Sequence, residues 1–101
     1  MYGLKEKHIN AINNVFKKYT EIQQAILYGS RAKGNYRNGS DIDLSLKGKT
    51  LTLSLLFKIE IELDDLLLPY KIDLSIYHKR ESSDLINHIK RVGIIFYEKT
   101  L

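Results

Sequence analysis

Apolar positions along the chain follow two spacings, which predict helices and strands in alternation. From Leu4 to Tyr19 apolar residues recur every three or four positions, and Lys, Asn and His occupy many of the positions between them. Such a repeat places the apolar side chains on one face of an amphipathic helix. The short apolar runs Gln24–Tyr28 and Asp41–Leu46 predict the first two strands.

The segment from Leu51 to Leu68 carries both spacings. Apolar and acidic residues alternate over Ile59–Leu63, as in a strand, whereas apolar residues along the whole segment also recur at helical spacing. The apolar pattern is too long for a typical strand, and it is followed by Pro69, a residue that stops helices. We therefore predict a helix here.

The last part of the chain predicts a third strand and a final helix. Tyr70–Tyr77 repeats the Ile-Asp-Leu-Ser pattern of the second strand. Ser82 or Ser83 is suited to cap the helix that follows. Gly93 either ends that helix or is passed over, which leaves the apolar run Ile94–Tyr97. The predicted order is helix, strand, short helix, strand, helix, strand, helix, and it indicates a small α/β sheet with helices packed on it.

Length and composition indicate one domain over residues 1–101, with 44% hydrophobic and 28% charged residues. The absence of cysteine excludes disulfides and thiolate zinc sites. No apolar run approaches the roughly 20 residues of a membrane span, and the first residues do not resemble a signal peptide, so we expect a cytoplasmic protein.

The net charge of +4 favours anionic ligands such as nucleotides. Because the basic residues are scattered, nucleic acid is not the expected partner.

Two carboxylates lie two residues apart in the second predicted strand. Asp41 and Asp43 point to the same face of a strand. Ile42 and Leu44 then point the opposite way, into a core. At 4 Å and an effective dielectric near 20 the two charges repel by about 4 kcal/mol, which a divalent cation between them relieves. Asp73 has the equivalent setting in the third strand, and if the strands are neighbours the three acids suit Mg²⁺ or Mn²⁺.

A Gly-Ser pair predicts a phosphate site that faces these acids. Gly29 lets the backbone approach a ligand, and the amides of a helix beginning at Ser30 favour a bound phosphate. Arg31 and Lys33 lie on the first turn of that helix, where they either reach phosphate oxygens or are solvated surface residues. Opposite a pair of metal ions, such a site suits in-line displacement, and Asp73 would be free to accept the proton of an attacking hydroxyl.

The order and spacing of these residues form a known signature. Gly29-Ser30 is followed after ten residues by Asp41-x-Asp43, and Asp73 lies on a later strand. This pattern resembles that of the DNA polymerase β-like nucleotidyltransferase superfamily, and the short chain resembles its minimal nucleotidyltransferases. The resemblance implies a mixed β-sheet flanked by helices, Mg²⁺-dependent nucleotidyl transfer from an NTP, and Asp41, Asp43 and Asp73 as the metal-binding triad. It also implies that Gly29 and Ser30 hold the triphosphate.

The resemblance further implies a protein partner. Minimal nucleotidyltransferases are commonly paired with a small helical HEPN protein as antitoxin and toxin, and the antitoxin attaches AMP from ATP to a tyrosine of the HEPN ribonuclease. With 101 residues we expect no separate acceptor-binding domain, which disfavours a small-molecule transferase. The leucine-rich helix and Ile94–Tyr97 are either docking surface or core. A non-catalytic nucleotide-binding module that neutralises its partner by contact alone is the rival interpretation.

Several other polar residues have more than one interpretation. Tyr36 either stacks on a base or packs within the protein. His8, His78 and His88 lie on separate predicted elements without the spacing of metal ligands, so we expect them to be surface or packing residues. An acidic face of the leucine-rich helix either binds a basic partner or is solvated; it consists of Glu60, Glu62, Asp64 and Asp65.

Overall fold

A computed structural model describes residues 1–79 and 83–100 of the chain. Within these residues helices and strands alternate, as the apolar spacing predicts. In chain order they are α1 (Glu6–Lys17), β1 (Gln24–Tyr28), α2 (Gly29–Lys33), β2 (Ile42–Lys47), α3 (Leu53–Asp64), β3 (Ile72–Ile76), a 3-10 turn (Tyr77–Lys79), α4 (Ser83–Val92) and β4 (Ile94–Glu98). None of the helices in the described ranges has the length and apolarity to cross a membrane.

The strands form one mixed sheet in the order β3-β2-β1-β4. Strand β1 pairs antiparallel with both β2 and β4, and β2 pairs in parallel with β3. A parallel pair requires a crossover connection, which α3 supplies between β2 and β3. The predicted fold class, a small mixed β-sheet flanked by helices, is confirmed.

Helices α1 and α3 pack together with the sheet in the main core. On β2, alternate residues Ile42, Leu44 and Leu46 are fully buried. Phe16 of α1 belongs to the same apolar cluster. Because successive side chains of a strand point to opposite faces, Asp43 points away from this core, as the sequence predicts.

Helix α4 packs on the face of β1 that the site residues share. Ile26 and Tyr28 of β1 are buried in a smaller apolar cluster with Ile89 of α4. Tyr28 is the register partner of Asp43, and directly opposed residues on neighbouring strands have side chains on the same face. The smaller cluster therefore fixes α4 on the side of the sheet where the predicted site lies.

The predicted order of elements omits the last strand, β4, which pairs with β1. The pairing places Tyr97 opposite Ala25 and Ile95 opposite Ile26, so Phe96 is an extra residue in a β-bulge. Phe96 and Tyr97 are both buried as a result. The bulge removes the period-two pattern by which strands are recognised in a sequence.

Helix α3 confirms the helix predicted over Leu51–Leu68, although it is shorter. It begins after Thr52, whose Oγ1 accepts a hydrogen bond from the N–H of Leu55 at 3.2 Å. It ends at Asp64, several residues before Pro69. The strand interpretation of this segment is wrong.

Gly93 separates α4 from β4, so the interpretation in which the helix passes over it is wrong. A Cβ added at Gly93 would overlap the carbonyl oxygen of Ile89 and would lie 2.7 Å from a side-chain carbon of Ile26. Glycine therefore allows the close approach of this turn to β1. Ser83 is the first residue of α4, and Ser82, the other serine considered as a cap, lies outside the described residues.

A charged hydrogen-bond network joins the end of α1 to α3. The Tyr19 hydroxyl donates to Glu62, and Nζ of Lys18 lies 3.2 Å from the second carboxylate oxygen of Glu62. The Glu62 carboxylate raises the pKa of Tyr19 to about 12. The hydrogen bonds from Tyr19 and then Lys18 lower the pKa of Glu62. Within the predicted acidic face, Glu62 thus has an internal structural role.

Candidate active site

Two of the predicted site carboxylates lie side by side on neighbouring strands. Asp43 of β2 is the register partner of Asp73 of β3 in the parallel pair. Their side chains therefore lie at the same level and on the same face of the sheet. Asp43 is partly buried and Asp73 is exposed. The adjacency that the repeated Ile-Asp-Leu-Ser pattern suggests is confirmed.

The third carboxylate, Asp41, lies directly before β2 and is exposed. The predicted strand includes Asp41, but β2 begins at Ile42, whose N–H donates to the carbonyl oxygen of Lys71 at 2.8 Å. Across residues 1–79 and 83–100, no three His, Cys, Asp or Glu side chains are grouped closely enough to hold a metal ion by themselves. The structure thus gathers the acids at the amino-terminal ends of two adjacent strands without closing them into a cage.

An open set of carboxylates is compatible with Mg²⁺ or Mn²⁺. Mg²⁺ keeps several waters and binds through one or two protein carboxylates together with substrate phosphates. Asp41, Asp43 and Asp73 offer hard oxygen donors, which suit these ions rather than softer metals. The donor set therefore fits a metal ion that arrives with a nucleotide.

Gly29 follows β1 directly and lies against Asp43. Its φ of +74° is in the left-handed region, and a Cβ added there would overlap the Asp43 carboxylate. Glycine is required at this position on both counts. Helix α2 begins at Gly29 and its N-cap is Tyr28, without a side-chain capping hydrogen bond. The predicted start of the helix at Ser30 is therefore wrong by one residue, and Ser30 is not its N-cap.

His88 contacts the Gly-Ser turn, which the sequence did not indicate. The N–H of Gly29 donates to Nε2 of His88 at 3.3 Å, and the imidazole packs edge-on against Tyr28 with 6.2 Å between ring centroids. His8 packs edge-on against Tyr70, as expected of a packing residue, whereas His88 is a neighbour of the site.

Arg31 is buried, with 3% of its surface exposed. Its Nε and Nη2 donate to the carbonyl oxygen of Ser40 at 3.1 and 2.8 Å, and Nη1 donates to the carbonyl oxygen of Tyr2 at 2.9 Å. The interpretation of Arg31 as a solvated surface residue is wrong. Its assignment as a nucleotide ligand stays a prediction, and in this structure its donors are directed to main-chain oxygens.

The other residues of the Gly-Ser segment differ in exposure. Ser30 is partly buried, and its carbonyl oxygen accepts from the N–H of Gly34 at 2.9 Å. Lys33 is exposed. The ring of Tyr36 lies over the Arg31 guanidinium, whose carbon is 5.2 Å from the ring centroid, and base stacking by Tyr36 stays a prediction.

The comparisons with known proteins agree with this geometry. The sequence model of the polymerase β nucleotidyltransferase family matches residues 10–100. No curated protein sequence matches the chain significantly.

Solved toxin–antitoxin structures share the fold. A toxin–antitoxin complex with AMP-PNP superposes with a TM-score of 0.73 at 21% identity, covering 91% of this chain and 74% of the other. A Shewanella oneidensis complex of a tri-AMPylated HEPN toxin with its MNT antitoxin gives a TM-score of 0.69 at 18% identity, covering 95% and 74%. An MntA–HepT complex gives 0.69 at 18% identity, covering 94% and 74%. Family match and fold together confirm the predicted class of enzyme: the chain belongs to the polymerase β nucleotidyltransferase family.

Proposed function

We propose that the protein transfers AMP from ATP to a tyrosine hydroxyl of a HEPN partner protein in the cytoplasm, in a reaction that requires Mg²⁺ or Mn²⁺. The observation that carries this proposal is the register pairing of Asp43 with Asp73 beside Gly29. The pairing places two carboxylates beside Gly29, a residue without a side chain. Such an arrangement suits a nucleoside triphosphate and its metal ions.

The chain's own residues would have distinct roles in this reaction. Gly29 and Ser30 would hold the triphosphate: Gly29 because backbone without a side chain can approach its oxygens closely, and Ser30 because its hydroxyl can donate a hydrogen bond to them. Asp41 and Asp43 would hold the metal ions, as would Asp73, which would also accept the proton of the acceptor hydroxyl. The hydroxyl oxygen forms a bond to the α-phosphorus while the bond from that phosphorus to the bridging oxygen breaks, and pyrophosphate leaves.

The bound metal ions would neutralise the charge that develops on the attacking and leaving oxygens. The protein's contribution is to set the carboxylates at a fixed level of the sheet, since the strands are held by Ile42, Leu44 and Leu74 in the core. Preorganised charges of this kind do not need to rearrange during the reaction.

A protein acceptor is supported by the structural neighbours and by the surface of α3. One neighbour is an AMPylated HEPN toxin in complex with its antitoxin. On α3, the side chains of Leu53, Phe57 and Ile61 recur every four residues and are 56%, 57% and 61% exposed. They form an apolar stripe on one face of the helix. An exposed apolar patch of this kind supports binding to another protein, and we assign the HEPN partner to it.

The test is label transfer from α-labelled ATP with Mg²⁺, using the HEPN protein of the same organism as acceptor. Wild type is compared with Asp41→Asn and Asp43→Asn. Asp84→Asn is the matched control, because Asp84 is an exposed carboxylate in the first turn of α4 and has no assigned role in the site or in partner binding. We expect label on the partner with wild type and the control, and none with the two site variants. A tight complex without label would instead support the module that neutralises its partner by contact alone.

A further inference from the structure

We propose that Arg31 is a positioning residue, which holds Asp41 and the start of β3 in place for metal and nucleotide binding. The inference rests on the proposed function. The residues that contact its guanidinium are called the Arg31 cluster; they are Tyr2, Tyr36, Ser40 and Tyr70. Tyr2 belongs to the amino-terminal turn, Tyr36 and Ser40 to the loop between α2 and β2, and Tyr70 to the segment before β3.

The cluster first fixes the peptide that leads into Asp41. Two nitrogens of the guanidinium, Nε and Nη2, donate to the carbonyl oxygen of Ser40. Ser40 is also tied into a turn, because its N–H donates to the carbonyl oxygen of Arg37 at 3.0 Å and its Oγ accepts from the N–H of Arg37 at 2.8 Å. Two donors on a rigid planar group define the direction of the carbonyl they share. The backbone immediately before Asp41 therefore has one orientation.

The cluster also reaches the segment before β3. The ring centroid of Tyr70 lies 5.0 Å from the guanidinium carbon of Arg31, within the range of a cation–π contact. Tyr70 precedes Asp73 by three residues. The backbone beside it is paired with β2, since the N–H of Ile42 donates to the carbonyl oxygen of Lys71. One guanidinium thus contacts the approaches to both strands that carry site carboxylates.

The amino-terminal turn is shaped around the same group. Tyr2, whose carbonyl oxygen accepts from Nη1, has a φ of +57°, and Gly3 has a φ of +72°. A Cβ added at Gly3 would lie 2.9 Å from Nη1 of Arg31 and would overlap the ring of Tyr36. A left-handed tyrosine is uncommon. The amino-terminal turn thus has an uncommon backbone conformation at the residues that contact Arg31.

The burial of the Arg31 guanidinium is better explained by a positioning role than by stabilisation of the fold alone. A buried charge is costly unless it is fully hydrogen-bonded, and apolar side chains often stabilise a fold as well or better at such positions. The guanidinium offers what an apolar side chain lacks, namely several donors in a fixed plane. Since Ser40 is covalently joined to Asp41, its direction determines where the Asp41 carboxylate can lie.

The test compares wild type with Arg31→Lys and Gly3→Ala in three measurements. These are the affinity for Mn²⁺ with AMP-PNP by electron paramagnetic resonance, the kinetics of AMP transfer, and amide hydrogen exchange of residues 40–42. Lysine keeps the charge but lacks the planar fork. We expect the Kd for Mn²⁺ to rise about 10-fold or more and kcat to fall about 10- to 100-fold. The KM for the partner protein should not change, and exchange should accelerate.

Two matched controls should behave like wild type. Arg91→Lys makes the same substitution at an exposed arginine of α4. Gly34→Ala introduces a side chain at a φ of +87°, close to that of Gly3, but the added Cβ meets nothing within 4 Å. It reproduces the backbone strain of Gly3→Ala without disturbing the cluster.

The outcomes separate this inference from the proposed function. Folded Arg31→Lys and Gly3→Ala proteins with wild-type Mn²⁺ affinity and kcat would overturn the inference, even if they melt at lower temperature. If Arg31→Lys does not fold, Gly3→Ala decides. A wild type that transfers no AMP overturns the proposed function, while its Mn²⁺ affinity and hydrogen exchange still decide the role of Arg31. A wild type that does not bind Mn²⁺ with AMP-PNP overturns both.

Discussion

Asp43 and Asp73 are register partners on two parallel strands that are joined through α3. Their relative position therefore depends on sheet pairing, not on a flexible loop. Sites carried on strands hold their side chains more precisely than sites on loops. A single substitution in the site should therefore change one group while the sheet stays in place.

Asp73→Asn should separate proton acceptance from metal binding. Asparagine has the size of aspartate but cannot accept the hydroxyl proton, so we expect the transfer rate to fall about 10²- to 10⁴-fold. The affinity for Mn²⁺ with AMP-PNP should fall less than in Asp43→Asn. Single-turnover transfer and Mn²⁺ titration measure the two quantities. Equal losses of Mn²⁺ affinity in the two variants would contradict the assigned role of Asp73.

Gly29→Ala should disturb the site beyond its effect on the backbone. A left-handed φ costs a residue with a Cβ about 1–2 kcal/mol, and here the Cβ also overlaps the Asp43 carboxylate. Gly39→Ala is the control, because Gly39 has a φ of +84° and open space around its added Cβ. We expect similar backbone strain in both and a loss of transfer of about 100-fold in Gly29→Ala alone. Chemical denaturation and label transfer measure the two effects, and equal activities would refute this account.

His88→Leu should weaken the Gly-Ser turn, whereas His88→Gln should largely preserve it. Leucine leaves the N–H of Gly29 without its acceptor, which costs about 1 kcal/mol at a partly buried position. Glutamine offers an oxygen in place of Nε2. We expect the affinity for AMP-PNP to fall about fivefold in the leucine variant, as measured by isothermal titration calorimetry. If both variants lose the same affinity, the hydrogen bond is not the cause.

The Tyr19–Glu62 hydrogen bond should make stability depend on pH at both extremes. The pKa of Tyr19 is raised from 10.0 to about 12, so its contribution is complete below pH 10 and is lost as the pH rises through 12. The pKa of Glu62 is lowered from 4.5, so its contribution is lost as the pH falls below 4.5. We expect the difference in unfolding free energy between wild type and Tyr19→Phe to shrink in both directions.

Urea denaturation across this pH range measures that difference. In the Glu62→Gln background the Tyr19→Phe difference should lose its dependence on acid pH, because the titrating carboxyl group is gone. If the difference in unfolding free energy between wild type and Tyr19→Phe stays constant from pH 8 to pH 12, the contribution of Tyr19 to stability does not depend on Glu62.

Phe57→Ser should weaken the complex with the HEPN partner without affecting the fold. Phe57 lies at the centre of the apolar stripe on α3 and is 57% exposed, and aromatic residues at the centre of an interface carry much of its energy. We expect the Kd of the complex to rise about 10-fold or more. Ile95→Ser is the control, since Ile95 is 53% exposed on β4. If only Ile95→Ser weakens binding, the HEPN partner binds at β4 instead of α3.

Local patterns predicted the parts of the fold that depend on local spacing. The bounds of β1 match the prediction, and the pairing of β2 with β3 agrees with the adjacency inferred from their shared Ile-Asp-Leu-Ser pattern and from the family resemblance. Strand β4 was missed because its bulge at Phe96 removes the alternation. The family motif indicated where Gly29, Asp41 and Asp43 lie, because a short fixed spacing defines these residues, whereas Asp73 was inferred from the repeated pattern of a later strand.

Long-range contacts explain what could not be predicted. The burial of Arg31 depends on carbonyl oxygens of Tyr2 and Ser40, and a charged residue on a short helix gives no sign of such acceptors. The contact of His88 with Gly29 spans two elements distant in the chain. Neither contact leaves a periodic or motif-like signal in the sequence.

Strand β3 is one of the two outer strands of the described sheet and pairs only with β2 among the strands described. Its detachment would remove Asp73 from Asp43 while β1, β2 and β4 stayed paired. Segments with fewer partners open at a lower free energy than the whole domain unfolds. Heat should therefore inactivate the enzyme reversibly at temperatures where most of its secondary structure persists, because Asp73 stays in place only while β3 keeps its pairing with β2 and its packing through Leu74 and Ile76.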